Sequence, residues 1–240
     1  MAVLKFLPDN PQSASWLSQA EKALIASRLA GEQADAHGEL WTALRDPRLL
    51  FFGLALLGQQ IAGFGYDFWL PQIVSGMGFT SLQTGFVIAV LYAMSGVAMI
   101  LWGRSSDRRG ERVWHAALAV LLVASGFTLV GASTGVPFAL AGLVLVRIGL
   151  SSFYGPFCGL ISSLLRGPAA AGGLALITCV GNGLGGFLGP SLVGIFRESS
   201  GNYTSSMAAL AVLTVTSAAI ILAVGRTMLP RVANVAPGVS

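Results

Sequence analysis

Residues 103–112 read Gly-Arg-Ser-Ser-Asp-Arg-Arg-Gly-Glu-Arg, with six charges in ten positions and a long apolar stretch on either side. The flanking stretches, Leu82–Trp102 and Val113–Gly131, are each close to the roughly 20 residues that cross a hydrocarbon core as a helix. A polar run bracketed in this way reads as a loop that returns the chain from one membrane span to the next. The composition agrees. With 54% hydrophobic residues and only 10% charged, and a mean hydropathy of +0.74, the chain has too little polar material to coat a water-soluble globule.

Working outward, the apolar segments predict an all-α membrane protein with six transmembrane helices. The spans are expected at about Arg48–Val74, Leu82–Trp102, Val113–Gly131, Pro137–Leu165, Ala169–Phe196 and Tyr203–Val224. Asp46 and Pro47 offer an N-cap and a first-turn proline for the first span. Gly155-Pro156 is expected to break the fourth, because proline removes a backbone hydrogen bond. Ahead of the spans, residues 1–47 hold an apolar stub ending at Pro8, which reads as the end of a preceding helix. An amphipathic linker follows: Ser18 and Glu21 have capping-box spacing for a helix to about Ala30, 31–37 is a polar break, and Glu39–Arg45 is a second short helix. Residues 48–224 form the bundle and 225–240 a tail.

The basic residues orient this arrangement. Twelve Lys and Arg fall in the linker, the 103–112 run, the Arg166 turn and the tail, while the opposite side carries only Arg197. Cytoplasmic loops are enriched in Lys and Arg, so both termini are expected in the cytoplasm. The formal net charge of +4 therefore reflects topology, and no nucleic-acid partner is expected. Cys158 and Cys179 sit in apolar runs without metal-ligand or disulfide spacing. His37 and His115 have no suitably spaced partner, so both read as bystanders. No paired buried carboxylates, His-Glu-x-x-His run or nucleotide-type glycine loop is present, so neither an enzyme nor a bound cofactor or metal is expected.

Polar residues deep in the spans carry the remaining information. A helix rises about 1.5 Å per residue, so positions about ten residues into a span lie near the midplane, where transporter sites sit. Gln59 and Gln60 reach that depth from Arg48, whereas Asp67 comes out near the far interface and reads as solvated or hydrogen-bonded at the rim rather than as a proton carrier. Arg147 lies ten residues past Pro137, at a depth where arginine costs roughly 2.5–3.5 kcal/mol. With Ser151 and Tyr154 at i+4 and i+7 it shares one helix face that could receive a carboxylate. The alternative is an arginine held by helix-end carbonyls or by a partner acid in a half of the protein outside this sequence. Gly181, Gly185 and Gly189 recur every fourth residue as a smooth contact face. Asn182, beside them, needs a partner inside the bilayer.

Four stretches together resemble the major facilitator superfamily. They are Gly103…Asp107-Arg108-x-Gly110-x-Arg112, Leu7-Pro8-Asp9-x-Pro11…Trp16-Leu17-Ser18-x-x-Glu21, Phe68-Trp69-Leu70-Pro71-Gln72-Ile73, and Gly181-Asn182-x-x-Gly185-Gly186-Phe187-x-Gly189-Pro190. The resemblance is to the anion:cation symporter branch, which includes tartrate-, phthalate- and hexuronate-type carriers. It implies the second six-helix half of a major-facilitator fold, in a bacterial cytoplasmic membrane, moving a small organic anion with H⁺. A first six-helix half or a second copy would be the partner, with membrane lipid around both. It further implies that Asp107 latches to a nearby arginine when the cytoplasmic side is closed, and that Asn182 can contact substrate, the alternative being a bond to another helix. Gln59, Gln60, Arg147, Ser151, Tyr154 and Asn182 are the expected substrate-binding residues. Gly103, Asp107, Arg108, Gly110 and Arg112 are the expected gating loop. Glu111 stands where a base is usual, and Cys158 where relatives often carry tryptophan. The competing expectation is a remnant that transports nothing and serves as a scaffold or assembly partner.

Overall fold

The computed structural model describes residues 12, 14, 16–34, 47–164 and 167–227. Seven helices lie within them: α1 Gln19–Ala34, α2 Pro47–Ser75, α3 Ser81–Arg109, α4 Val113–Ala132, α5 Val136–Leu164, α6 Gly167–Ser200 and α7 Thr204–Thr227. The last six are each long and apolar enough to cross a membrane. Local chemistry sets their ends. Ser18 and Glu21 form the expected capping box ahead of α1, with the Ser18 amide donating to Glu21 Oε2 at 2.9 Å. Its backbone and hydroxyl bonds hold the exposed Glu21 carboxyl below the usual carboxylate range. At α3, Thr80 and Gln83 cap reciprocally.

The 103–112 run is not all loop. Helix α3 continues to Arg109, and Gly110, at φ 61°, stops it in the left-handed conformation while its amide donates to the Asp107 carbonyl at 3.2 Å. Arg108 and Arg109 lie in the last turn, where cations complement the helix dipole. Glu111 then caps the next helix, accepting from the Trp114 amide at 2.9 Å. Pro156 likewise leaves α5 one helix from Val136 to Leu164 rather than two. Its turns are fixed on both sides by Phe153, Phe157, Leu160 and Ile161, all nearly inaccessible. Helix α1 runs through Gly31 to Ala34 without the expected break. The Asp46 cap, the Glu39–Arg45 helix, the Arg166 turn and the tail lie outside the described residues.

Helix α4 packs against α5 and α7, α2 against α6 and α7, and α3 against α5. Lipid offers no hydrophobic drive between helices, so close van der Waals contact does the work. Two seams show this. A methyl group at Gly126 of α4 would come within 2.7 Å of the Gly142 carbonyl of α5, and one at Gly185 of α6 within 2.6 Å of Gln60 Cβ on α2. The glycine face of the fifth span thus meets the first span, backbone against backbone.

Tyr66 fixes the height of α2 against α5. Its ring is fully buried beside Phe127, and its hydroxyl donates to the Leu143 carbonyl at 3.0 Å, one helical turn before Arg147. Tyr66→Phe is expected to lower stability by about 1 kcal/mol, the net worth of one such bond. Thermal unfolding in detergent measures it, and a larger fall at unchanged packing would mean that the hydroxyl holds more than this carbonyl.

Candidate functional site

A cavity of about 260 Å³ opens between α2, α3 and α5, lined by Gln60, Gly63, Phe64 and Asp67 of α2, Met99 of α3, and Leu150, Arg147, Ser151 and Tyr154 of α5. Three of the expected site residues, Arg147, Ser151 and Tyr154, line it together because a step of four and then three residues keeps them on one face of α5. Gln60 joins them from α2.

At the polar end, Arg147 Nη1 donates to Asp67 Oδ1 at 3.1 Å and reaches Oδ2 at 3.4 Å. The guanidinium lies 3.9 Å from the centroid of the Tyr92 ring, and the Tyr92 hydroxyl donates to the same Asp67 oxygen at 3.0 Å. Arg147 is therefore held on two sides, by a carboxylate and by an aromatic face, the latter a favourable seat for a cation. One nitrogen serves both carboxylate oxygens, which is not the parallel two-nitrogen fork of the strongest pairs. Arg147 Nε has no hydrogen-bond partner among the described residues. The pair is partly open: 16% of the arginine side chain and 39% of the aspartate side chain are accessible.

Asp67, expected to be solvated or hydrogen-bonded, is partly accessible and hydrogen-bonded by Arg147 and Tyr92. The acid paired with Arg147 lies in this chain, whereas the sequence reading looked for it in another half of the protein. Tyr92 was missed, although a lone phenol in an otherwise apolar stretch of α3 was a readable signal.

A second polar chain crosses the bundle. The Tyr154 hydroxyl donates to Gln60 Oε1, and Gln60 Nε2 donates to Asn182 Oδ1, so α5, α2 and α6 are tied through one amide. Asn182 reaches the site through Gln60. Gln59 does not belong to it. Successive helical side chains diverge by about 100°, and Gln59 is 1% accessible, off the cavity, with neither amide atom hydrogen-bonded among the described residues.

The 103–112 segment lies apart from this cavity. Asp107 makes no ion pair among the described residues, whereas Arg112 Nη1 donates to the Gly159 carbonyl of α5 at 2.7 Å. His115 has structural partners: its ring meets Ser105 Oγ at 3.2 Å and Glu111 at 3.5 Å, and its carbonyl accepts from the Trp102 indole at 3.1 Å. These contacts fix the turn between α3 and α4. Among the described residues no cluster of His, Cys, Asp or Glu could hold a metal.

Comparison with known proteins bears on this arrangement. The family model of the Major Facilitator Superfamily matches residues 1–190. A "Putative tartrate transporter" of Agrobacterium vitis is 37% identical over 240 residues, covering 99% of this chain and 55% of that protein. A second protein of that name from the same organism is 36% identical over 230 residues, or 95% of this chain and 51% of the relative. The "Inner membrane transport protein RhmT" of Escherichia coli is 33% identical over 192 residues, or 78% and 44%. The chain spans about half the length of the curated relatives it matches.

Proposed function

Because the chain belongs to the major facilitator superfamily, we propose that it takes part in moving a small organic anion together with a proton across a bacterial inner membrane. It is an integral membrane protein of a transporter family, not an enzyme. The observation that carries the finer reading is Arg147. An arginine within a span is costly, and here it lies in a cavity beside hydroxyl and amide groups suited to a carboxylate. The names of the Agrobacterium relatives favour a dicarboxylate such as tartrate.

The carrier is completed by a further six-span half or by a second copy. Helix α3 exposes Phe86, Val90, Met94 and Val97, and α6 exposes Leu184, Phe187 and Ile195, two apolar faces wide enough for protein as well as lipid. The six-helix bundle is then the second half of the carrier, with both termini in the cytoplasm. Alternating access arises from rocking of one half against the other. Uptake of labelled tartrate and sugar acids into proteoliposomes under an inward proton gradient tests this. Uptake is expected when a six-span half is supplied, and uptake from this chain alone would mean that a second copy completes the carrier. Absence of uptake for every carboxylate in both cases would overturn the reading.

The 103–112 segment is the gate in this scheme, with Asp107 pairing to an arginine and a helix N-terminus only in the closed state. Such contacts contribute roughly 0.3–1 kcal/mol. Asp107→Asn is accordingly expected to slow uptake about two- to fivefold with KM unchanged. An unchanged rate would reduce the segment to a topology signal.

A further inference from the structure

We propose that Asp67 is the resting counter-ion of Arg147, that an incoming carboxylate takes its place on the guanidinium, and that the displaced Asp67 accepts one proton. This rests on the reading of the cavity as an organic-anion site and assigns the residue that couples the two ions.

The argument is one of charge balance. With no anion bound, one positive guanidinium and one negative carboxylate neutralise each other. The hydrogen bonds that the guanidinium makes to Asp67 leave from Nη1, and a guanidinium carries five N–H donors in a planar fork. It can therefore engage a second carboxylate from the cavity side. Doing so brings two carboxylates to one cation, and like charges sharing a site cannot both stay ionised. A proton from water adds to an Asp67 oxygen, and the neutral acid stays hydrogen-bonded to Tyr92 as the anion takes over Arg147. One anion and one proton enter and no covalent bond other than O–H forms; a monocarboxylate leaves the net charge of the site unchanged, and a dicarboxylate such as tartrate, engaged through one of its two carboxylates, leaves it one unit more negative.

The surroundings of Asp67 fit this role. Among the described residues, the ionisable groups near enough to act on it are Arg147 and Tyr154 from α5, Tyr92 from α3, and its chain neighbour Tyr66. None of the three phenols changes charge near neutral pH in ordinary circumstances, which leaves Asp67 to carry the proton. Its partial accessibility gives that proton a route from the cavity.

The test uses the full chain in lipid nanodiscs, weakly buffered with a pH-indicating dye, and three probes: tartrate, malonate and acetate. Wild type is expected to take up close to one proton per tartrate bound, and its apparent affinity to fall about tenfold per pH unit on the alkaline side, as linkage to one proton requires. Asp67→Asn is expected to take up none, with binding that varies less than about twofold over the same range. Asp67→Glu restores the uptake, which a purely structural salt bridge would not require. Tartrate binding without proton uptake in wild type would overturn the inference and leave the anion reading standing. Proton uptake with acetate or malonate but no tartrate binding would remove tartrate as the substrate and sustain the role of Asp67. Proton uptake with none of the three overturns it, and the wild-type readings decide the matter even if Asp67→Asn fails to fold.

Discussion

Arg147→Gln is expected to weaken the proposed binding of tartrate about 30-fold, equivalent to about 2 kcal/mol. That value is the lower end of what truncating one partner of a hydrogen-bonded charge pair costs. The lower end applies because the Asp67 side chain is 39% accessible and water screens the pair. The glutamine removes the one cation among the described residues of the cavity but keeps a planar donor of similar reach, so packing against Tyr92 survives in part. Arg147→Lys keeps the charge as a point and loses the planar fork, so its affinity falls less than that of the glutamine variant. Titration calorimetry of tartrate against the three proteins, beside their thermal unfolding, separates loss of the site from loss of the fold. Unchanged affinity in Arg147→Gln would make the arginine a structural partner of Asp67 and end the anion-site reading.

The second large effect is mechanical. Gly185→Leu is expected to destabilise the bundle by about 3 kcal/mol, the upper end for overpacking. A methyl group there already falls within 2.6 Å of Gln60 Cβ, 3.0 Å of the Gln60 carbonyl carbon and 3.2 Å of the Ile61 amide. Backbone cannot swing aside as a long side chain can, so α6 has to move away from α2. Separation also breaks the Gln60–Asn182 link and with it the polar chain that includes Tyr154. Gly186→Leu, one position on, meets nothing within 4 Å and gains helix propensity, so its unfolding midpoint stays level or rises. Equal losses in the two variants would mean that the seam is not where α6 bears on α2.

These two residues also mark how far the sequence could be read. The six apolar segments were legible because a membrane helix satisfies its own backbone and declares itself by local hydropathy. Their observed ends fall within a few residues of the expected ones except at the 103–112 run. There a string of charges suggested a loop, yet helix propensity and a favourable dipole carry α3 on to Arg109, and only Gly110, with its left-handed backbone, stops it. The glycine period of the fifth span was legible as a contact face for the same local reason, and Arg147, Ser151 and Tyr154 as one stripe.

The sequence by itself determined membrane class, number of spans and which face of each helix could be polar, since all of these follow from spacing along one chain segment. Tertiary structure alone decided which polar groups meet. Asp67 and Arg147 are 80 residues apart, and their pairing depends on the register that Tyr66 sets against Leu143 and on how closely the glycine seams let neighbouring helices approach. The same geometry turns Gln59 away and brings Gln60 in, although the two are identical and adjacent in the chain. Rotation about a helix axis by about 100° per residue separates them, and no composition or period distinguishes one from the other until a neighbouring helix is in place.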